Sequence, residues 1–276
     1  MDETKYVEKL KDLLKESLKK LIKDEEKLAI ALSGGVDSSI LAKLLKNLKI
    51  KPKAYVVGIE NCKDFDSAEM IAEELELELK KIKLTEKEIE ENLSIQIKIL
   101  KKLYEKNRDK IKPETPETKL NPVSVSSNFP LFFVEKYCKE KYIISGLGAD
   151  TILGGFFKYL SLNKKESVKQ MEKETKTLLN FDYLEDVETA KYFDREILMP
   201  FLDKDVAEFC LKLPYELKIK DKERKYILRK LAKEIGLSRE ASFRRKKAAQ
   251  YGSGIMKIMK KIAKKNNMTI SEYIKK

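Results

Sequence analysis

The segment from Ser33 to Ser39 carries the residues of this 276-residue chain that are best suited to chemistry. It reads Ser-Gly-Gly-Val-Asp-Ser-Ser, between an apolar run at 28–32 and an amphipathic run at 40–45. This order predicts a strand, a tight glycine turn and a helix. The first N–H groups of a helix lack partners within it and attract anions, and adjacent glycines let the backbone approach a phosphate closely. The segment therefore predicts a phosphate site.

Asp37 places a carboxylate among these N–H donors. Because a carboxylate repels a bare phosphate, we expect Asp37 to hold a divalent cation that the phosphates also bind. A Walker loop is excluded, since no lysine follows Gly35 at the required position. The segment instead resembles the pyrophosphate-binding loop of the ATP pyrophosphatases, which implies cleavage of ATP between its α and β phosphates. The alternative is a capped turn without a ligand, since Ser and Asp are ordinary capping residues.

A second glycine-rich segment follows the predicted strand at 142–144. It reads Ser-Gly-Leu-Gly-Ala-Asp from Ser145 to Asp150, with a Gly-Gly pair four residues further on. Ligands of open α/β sheets bind at the carboxyl ends of the strands, so both glycine-rich segments are expected to line one crevice. Asp150 would then face Asp37 across the phosphates and complete a Mg²⁺ site. Taken alone, this second segment could equally serve only to form tight turns.

The amino-acid composition excludes several catalytic mechanisms and predicts where in the cell the protein is found. Histidine is absent, which excludes a Ser-His-Asp triad, a histidine-ligated metal and an imidazole base. The scattered cysteines Cys62, Cys138 and Cys210 indicate buried thiols. With no apolar run of ~20 residues and no secretion-signal pattern, we expect a cytoplasmic protein without a membrane partner. The formal net charge of +13 fits either a nucleic-acid partner or the lysine-rich surface of a heat-adapted protein.

The remaining pattern supplies the elements that position these segments. Leucines at helical spacing predict an N-terminal helix over 6–23, and Thr85 with Glu88 predicts a capping box. Strands are predicted at 27–32, 54–59, 77–84 and 142–144. Their alternation with helices predicts a doubly wound parallel α/β sheet, followed beyond residue 160 by a mostly helical part. The proline-rich stretch 105–123 is expected to be a loop.

A series of motifs, in this order, resembles the synthetase domain of the asparagine synthetases. The two glycine-rich segments belong to the series, and four further motifs join them: Val57-Gly58-Ile59 with Asp64, Glu196–Asp203 (E-x-R-x-P-F-L-D in the family), Lys225–Arg229 (K-x-x-L-R) and Arg244–Lys246 with Gly252 (R-x-K…G). The resemblance covers about residues 25 to 260. It implies an adenine nucleotide alpha hydrolase-like fold that uses ATP and Mg²⁺.

The resemblance also implies roles for the matching residues. Those of the first segment would cradle the pyrophosphate: Ser33, Gly34, Gly35, Ser38 and Ser39. The nucleotide site would be completed by the backbone at Val57 and Gly58, which receives adenine, and by Ser145, Gly146 and Gly148. Asp37 and Asp150 would hold Mg²⁺. The catalytic candidates are Lys225, which would meet phosphate, and Lys246, which would stabilise the charge of an acyl-adenylate as it forms and breaks.

Several positions depart from the family pattern. Glutamine-hydrolysing members carry a nucleophilic cysteine directly after the initiator methionine, whereas this chain has Asp2. We therefore expect ammonia from solution or from an ammonia-supplying partner. Leu147 and Thr151 stand where the family has glutamates, and Leu198 stands where it has arginine. An acceptor other than aspartate is therefore expected.

These features predict three regions and a favoured function. The regions are an N-terminal helix (1–24), an ATP-binding α/β domain (25–160) and a helical part that completes the site (161–276). The favoured function is an AMP-forming ligase that adenylates a small-molecule acceptor, releases pyrophosphate and transfers an amine. One alternative is a tRNA-modifying enzyme that activates a base oxygen for sulfur or amine attack. The other is a nucleotide-binding protein without turnover.

Overall fold

A parallel sheet organises the fold. The computed structural model describes residues 2–244 and 248–276, and in this part of the chain the sheet has five strands. They are β1 (Leu28–Ala31), β2 (Lys53–Gly58), β3 (Leu79–Lys83), β4 (Tyr142–Ile144) and β5 (Glu196–Leu198). Their order is β3-β2-β1-β4-β5, with parallel pairing throughout. The chain thus winds outward from β1 in one direction and resumes at β4 on its other side, which makes the β1/β4 boundary the switch point where ligands bind in such sheets.

Alternate strand residues point into apolar cores on opposite faces of the sheet. In β2, Ala54 and Val56 lie in one core, whereas Tyr55 and Val57 lie in the other. Successive side chains of a strand point to opposite faces, so each face needs its own cover of helices. The predicted doubly wound parallel sheet is confirmed.

Helices cover both faces. The first face is packed by α1 (Glu3–Leu21), α2 (Val36–Asn47), α3 (Lys63–Leu75), α10 (Lys204–Lys212), α12 (Tyr226–Glu234) and α13 (Arg239–Phe243). The second is packed by α4 (Glu86–Lys106), α6 (Pro122–Tyr137), α9 (Tyr183–Tyr192), α15 (Ile255–Lys265) and α16 (Ile270–Lys275). Shorter or peripheral elements are α5 (Pro116–Lys119), α7 (Ala149–Ile152), α8 (Lys164–Thr177), α11 (Tyr215–Lys218), α14 (Ala249–Gly252) and the hairpin of β6 (Ile219–Lys220) and β7 (Glu223–Arg224). No helix of residues 2–244 and 248–276 is long and apolar enough to cross a membrane.

The stretch 105–123 is not the uniform loop that its prolines predict. The end of α4, all of α5 and the start of α6 lie within it. Asn121 caps α6 by accepting the N–H groups of Val123 and Ser124 at 2.9 and 3.1 Å. Pro122 takes the first helical position, where a missing N–H costs nothing. Helix capping therefore allows α6 to begin here although the sequence shows no apolar periodicity. The prediction of a loop is wrong at both ends of the stretch.

The structure confirms one further local prediction and adds one strand that was not predicted. The predicted capping box is confirmed: Thr85 N donates to Glu88 Oε2 at 2.9 Å, and Glu88 N donates to Thr85 Oγ1 at 3.2 Å. Strand β5 is not predicted by any local residue pattern, yet it joins the sheet beside β4 from the part expected to be mostly helical. The division of the chain at residues 24 and 160 stays a prediction.

Buried carboxyl groups lie among α6 and α9 on the second face of the sheet. Glu135 is fully buried, and its carboxylate oxygens have no hydrogen-bond partner within the described part of the chain. Burial, reinforced by the charge of Asp186, raises the pKa of Glu135 well above its usual value. Burial also raises the pKa of Glu185 to about 7, although this carboxylate accepts hydrogen bonds from Tyr104 and Asn128 at 2.7 and 2.8 Å.

These raised pKa values predict a stability that falls as pH rises. A carboxyl group with a higher pKa in the folded state keeps its full contribution below its unfolded pKa, about 4.3 for Glu, and loses it as pH rises through the folded pKa. For each such group the free energy of unfolding should fall by up to ~1.4 kcal/mol per pH unit. Glu135→Gln removes one of them and should flatten the dependence. Denaturant unfolding at pH 5, 7 and 9 measures it, with the exposed Glu25→Gln as control; equal slopes in both variants would contradict the assignment.

Candidate active site

The two glycine-rich segments meet at the switch point of the sheet. Ser33–Ser39 follows β1 and enters α2, whereas Ser145–Asp150 follows β4 and enters α7. A Cβ added to Gly146 would lie 3.0 Å from Asp37 Cβ and 3.3 Å from Ser38 N, so the segments are in direct contact. The sequence-based expectation of one shared crevice therefore agrees with the geometry.

The first segment is shaped by a left-handed glycine and by its own serines. Gly34 has φ +65°, and a Cβ there would lie 2.5 Å from the main-chain carbon of Ser67 in α3. The hydroxyls of Ser38 and Ser39 donate to the carbonyl of Gly35 at 3.2 and 2.9 Å, which fixes the first turn of α2. Ser33 N lies 3.4 Å from Ser38 Oγ. Ser39 is fully buried, so its direct contact with a phosphate stays a prediction.

Lys225 joins the two aspartates into one charged cluster. Its Nζ lies 2.6 Å from Asp37 Oδ2 and 2.7 Å from Asp150 Oδ1. The side chains of Lys225 and Asp37 are 9% and 18% exposed, whereas that of Asp150 is 48% exposed. Burial alone would lower the pKa of the Lys225 ammonium, but the charges of Asp150 and Asp37 outweigh it and raise the pKa above its usual value. Lys225 therefore keeps its charge within this triad of Lys225, Asp37 and Asp150.

A tight hairpin delivers Lys225 to this position. Strands β6 and β7 pair through a two-residue turn, Asp221-Lys222, whose φ angles of 51° and 63° are typical of a type I′ turn. Lys225 follows directly and has φ 57°, a left-handed conformation that costs a side-chain-bearing residue roughly 1–3 kcal/mol. Such strain concentrates at functional positions, and here it aims the lysine at the aspartates as α12 begins.

Three residues shape the cluster, although the sequence motifs predict no role for them. Gly155 is essential to its packing, because a Cβ there would lie 1.9 Å from Asp150 Oδ1 and 2.2 Å from Lys225 Cε. Arg224 donates to the Gly155 carbonyl and lies 5.9 Å from the exposed ring of Phe157. Arg229, the last residue of K-x-x-L-R, donates to the carbonyls of Arg224 and Ser242 at 3.0 and 2.8 Å. Its position in that motif is the only sequence signal of this bracing.

The second segment and the end of β2 are also ordered around the crevice. Ser145 Oγ accepts the N–H of Leu147 at 3.3 Å. Gly148 has φ +91°, and a Cβ there would lie 2.2 Å from Leu202 Cδ2. At β2, the Gly58 carbonyl accepts from Leu84 N at 2.9 Å and Val57 is buried. Recognition of adenine by the backbone at these last two residues stays a prediction.

The basic segment near the C-terminus is described only in part. Arg244 lies beside the crevice, with Nη1 3.5 Å from the Gly34 carbonyl and Nη2 3.3 Å from the Lys63 carbonyl. Gly252 follows six residues after Lys246, and a Cβ there would lie 2.3 Å from Asp64 Oδ1. Lys246, predicted to be catalytic, lies outside the described residues, so its assignment stays a prediction.

The donor set fits the predicted cation. Asp37 and Asp150 both contact the Lys225 ammonium, which stands in for a cation. Hard oxygen donors of this kind suit Mg²⁺, which one or two carboxylates hold together with substrate phosphates. Over residues 2–244 and 248–276, no three acidic or cysteine side chains gather into a metal site.

The fold and the site define a class: an open α/β protein in which two glycine-rich segments meet at the switch point of the sheet. The asparagine synthase family model matches residues 9–196 and 164–273 of the chain. The chain belongs to the asparagine synthase family.

Curated relatives agree with this membership. "Putative asparagine synthetase (glutamine-hydrolyzing) 1" of Methanocaldococcus jannaschii is 30% identical over 303 aligned residues, which cover 95% of this chain and 52% of the relative. The glutamine-hydrolyzing asparagine synthetase of Gallus gallus is 27% identical over 261 residues, which cover 90% of this chain and 43% of the relative. The chain thus spans about half the length of these relatives.

A solved structure is also similar in part. The NH3-dependent NAD synthetase of Campylobacter jejuni, solved in complex with nitrate, aligns with 78% of this chain and 98% of its own. Its sequence identity is 20% and its TM-score is 0.34. A likeness of this size supports no conclusion about function.

Proposed function

We propose that this protein is an ATP-dependent, AMP-forming ligase that adenylates an oxygen of a small-molecule acceptor and transfers an amine to it. One observation carries the proposal. The Lys225 ammonium lies within 2.7 Å of a carboxylate oxygen of Asp37 and of Asp150, at the switch point of the sheet where the two glycine-rich segments meet. Membership of the asparagine synthase family supports the same reaction class. The acceptor is proposed to differ from aspartate.

The proposed reaction has two steps. An acceptor oxygen attacks the α-phosphorus of ATP, an O–P bond forms, the bond from the α-phosphorus to the bridging oxygen breaks, and pyrophosphate leaves. The amine nitrogen then bonds to the activated carbon, AMP leaves with the C–O electron pair, and the nitrogen loses a proton. Since charge spreads over phosphate oxygens in the first step, fixed positive charge and N–H donors are what a protein must supply.

The chain's own residues fit these needs. The first-turn N–H groups of α2, preceded by the turn at Gly34, would bind the β and γ phosphates. The Lys225 ammonium would neutralise charge on the phosphates, because burial keeps water from screening it. Asp37 and Asp150 would hold Mg²⁺, which when bound offsets negative charge on the leaving pyrophosphate.

The acceptor side of the crevice differs from the family pattern. Leu147 is half-buried and has no acid–base group, and Thr151 is buried in α7. A leucine cannot take a proton from the attacking amine, so we propose that solvent or the substrate takes it. Ammonia from solution, or from a partner, is the proposed nitrogen source.

The function test is release of AMP and pyrophosphate from ATP and Mg²⁺ over a panel of acceptors. The panel should include carboxylic acids, amides and unmodified tRNA, each with ammonium or glutamine as nitrogen source. We expect pyrophosphate in equal amount to AMP, and we expect ammonium to support turnover. Turnover with tRNA alone would favour the tRNA-modifying alternative, and ADP with phosphate as products would contradict the proposal.

A further inference from the structure

The positive charge of the chain is concentrated in residues 220–276. This part holds 19 lysines and arginines against 5 aspartates and glutamates, whereas residues 1–219 hold 40 against 41. The net charge of +13 therefore comes entirely from residues 220–276. The lysine-rich surface of a heat-adapted protein would distribute its charge more evenly, and an asymmetry between parts of a chain is typical of an anionic partner.

Two arginines of this basic part lie at the carboxyl edge of the sheet, the edge at which its strands end. Arg224 donates to the carbonyl of Gly155, beyond the carboxyl end of β4. Arg244 Nη1 lies 3.5 Å from the carbonyl of Gly34, just beyond the carboxyl end of β1. Two neighbouring strands in the middle of the sheet therefore end beside arginine side chains.

Helix α15 continues the basic part along the same edge. Just before this helix, the carbonyl of Ser253 accepts the N–H of Ile59, directly after β2, at 2.9 Å. Further along the helix, Lys261 donates to Glu86, which follows the end of β3, at 2.5 Å. Since β2 and β3 are neighbours in the sheet, α15 lies along the carboxyl edge from β2 to β3.

The outer face of α15 presents three exposed lysines. Lys257, Lys260 and Lys264 recur at spacings of three and four residues, so they share one face of the helix. The ion pairs of α15 in the described part of the chain, both with Glu86, use other lysines of the helix. The opposite face packs against the second face of the sheet and cannot insert into a membrane, since it buries Ile255, Met259 and Ile262.

Exposed aromatic rings accompany these cations. Phe157 is 74% exposed, and its ring lies 5.9 Å from the Arg224 guanidinium. Phe243 is 43% exposed and directly precedes Arg244, and Tyr251 is 54% exposed and lies in α14, shortly before α15. Proteins that bind single-stranded nucleic acids combine positive charge with aromatic rings on which the bases stack. The combination of rings and cations therefore favours this class of partner over a simple anion.

The charges beside Phe243 balance one another. The cavity next to this ring is lined by Asp66 and Glu240 as well as by Arg239 and Arg244. This part of the edge therefore offers a ring for stacking with little net charge, whereas α15 offers positive charge for phosphates. The two requirements of a single-strand surface are thus met by neighbouring parts of one edge.

We infer that the carboxyl edge of the sheet carries a surface that binds single-stranded nucleic acid. Lys257, Lys260 and Lys264 contact the phosphates, and the rings of Phe243 and Tyr251 stack on the bases. The surface borders the crevice where the two glycine-rich segments meet. It goes beyond the proposed function, which requires no nucleic acid.

The test measures binding of a fluorescent oligouridylate of about 12 nucleotides by fluorescence anisotropy over a range of salt concentrations. The triple substitution Lys257→Gln, Lys260→Gln and Lys264→Gln removes three phosphate contacts. For single strands the logarithm of the affinity falls with the logarithm of the salt concentration by about 0.7 per contact, so the slope should become shallower by about 2. At about 0.1 M salt, the same relation gives a loss of affinity of roughly a hundredfold.

A second triple variant controls for total charge. Lys98→Gln, Lys101→Gln and Lys102→Gln remove the same charge from exposed positions of α4. Lys98 follows Glu86 by 12 residues, which is about 18 Å along the helix and away from the carboxyl edge. This variant should keep most of its affinity and its salt dependence. If both triple variants lose affinity equally, binding follows total charge and the inference is overturned.

Removal of single rings tests the stacking. Tyr251→Ala and Phe243→Ala should each weaken binding by roughly tenfold, because each removes a platform for one base. Tyr192→Ala is the matched control, since this ring is 58% exposed but ends α9, on the amino side of β5. If Tyr251→Ala and Phe243→Ala bind as tightly as Tyr192→Ala, the rings do not stack on bases and the inference is overturned.

An oligodeoxyuridylate of the same length distinguishes RNA from DNA, since only RNA carries the 2′-hydroxyl group. Binding of either strand supports the inference, and the tighter of the two identifies the kind of nucleic acid. Failure of the unaltered protein to bind either strand overturns it. All these measurements are made without ATP and Mg²⁺, so their outcome leaves the proposed function untouched.

Discussion

Asp37→Asn should abolish nearly all magnesium-dependent release of pyrophosphate while leaving the fold intact. Asparagine keeps the size of the side chain but removes one of the two carboxylates that meet at the Lys225 ammonium, 2.6 Å from Asp37 Oδ2. Loss of metal-derived charge stabilisation is worth several kcal/mol, which corresponds to roughly a thousandfold in turnover. The measurement is the rate of pyrophosphate release as a function of Mg²⁺ concentration, with an acceptor that gives turnover in the panel described above.

The fold should survive because Lys225 retains Asp150 at 2.7 Å and is not left as an isolated buried charge. Circular dichroism melting tests this directly. Asp205→Asn is the matched control, since this aspartate is exposed on α10, and it should keep full turnover. Unchanged turnover in Asp37→Asn would remove the basis for placing a cation at this position.

The features that depend on residues close together in the sequence could be predicted from the sequence alone. An apolar strand, two glycines and an amphipathic helix identify the turn at Gly34, because its left-handed φ of +65° and close approach to Ser67 require a residue without a side chain. The capping box at Thr85 is equally local. The doubly wound sheet follows from the same regular alternation.

The rest of the site depends on contacts between distant parts of the chain. Lys225 and Asp37 are 188 positions apart in the sequence. The hairpin that brings them together has an Asp221-Lys222 turn, which lacks the glycine by which such turns are usually recognised in a sequence. Strand β5 has three residues, too few for a recognisable alternation. For Lys225 the family resemblance indicated a contact with phosphate, but only the folded structure reveals its pairing with both aspartates.

Gly155→Ala should lower turnover by roughly a hundredfold or more, because displacing a catalytic group by about 1 Å can cost that much. The new methyl group would lie 1.9 Å from Asp150 Oδ1 and 2.2 Å from Lys225 Cε, so these side chains must shift away from it. Real Cβ atoms essentially never lie closer than 3.0 Å to a non-bonded heavy atom, so contacts this short must be relieved by a shift. Overpacking of this kind also destabilises by about 1–3 kcal/mol, so turnover and unfolding must both be measured.

Gly236→Ala separates the two effects. Gly236 has φ +77°, which makes alanine strained there, but its nearest contact is Lys43 Nζ at 4.0 Å and not the charged cluster. This variant should lose stability comparably and keep its turnover. If Gly155→Ala loses no more turnover than Gly236→Ala, the close approach of Asp150 and Lys225 does not matter for the reaction, and the triad is only a buried ion pair. If Gly155→Ala alone loses turnover, the space left by the missing side chain is needed for the arrangement of Asp150 and Lys225 that the reaction uses.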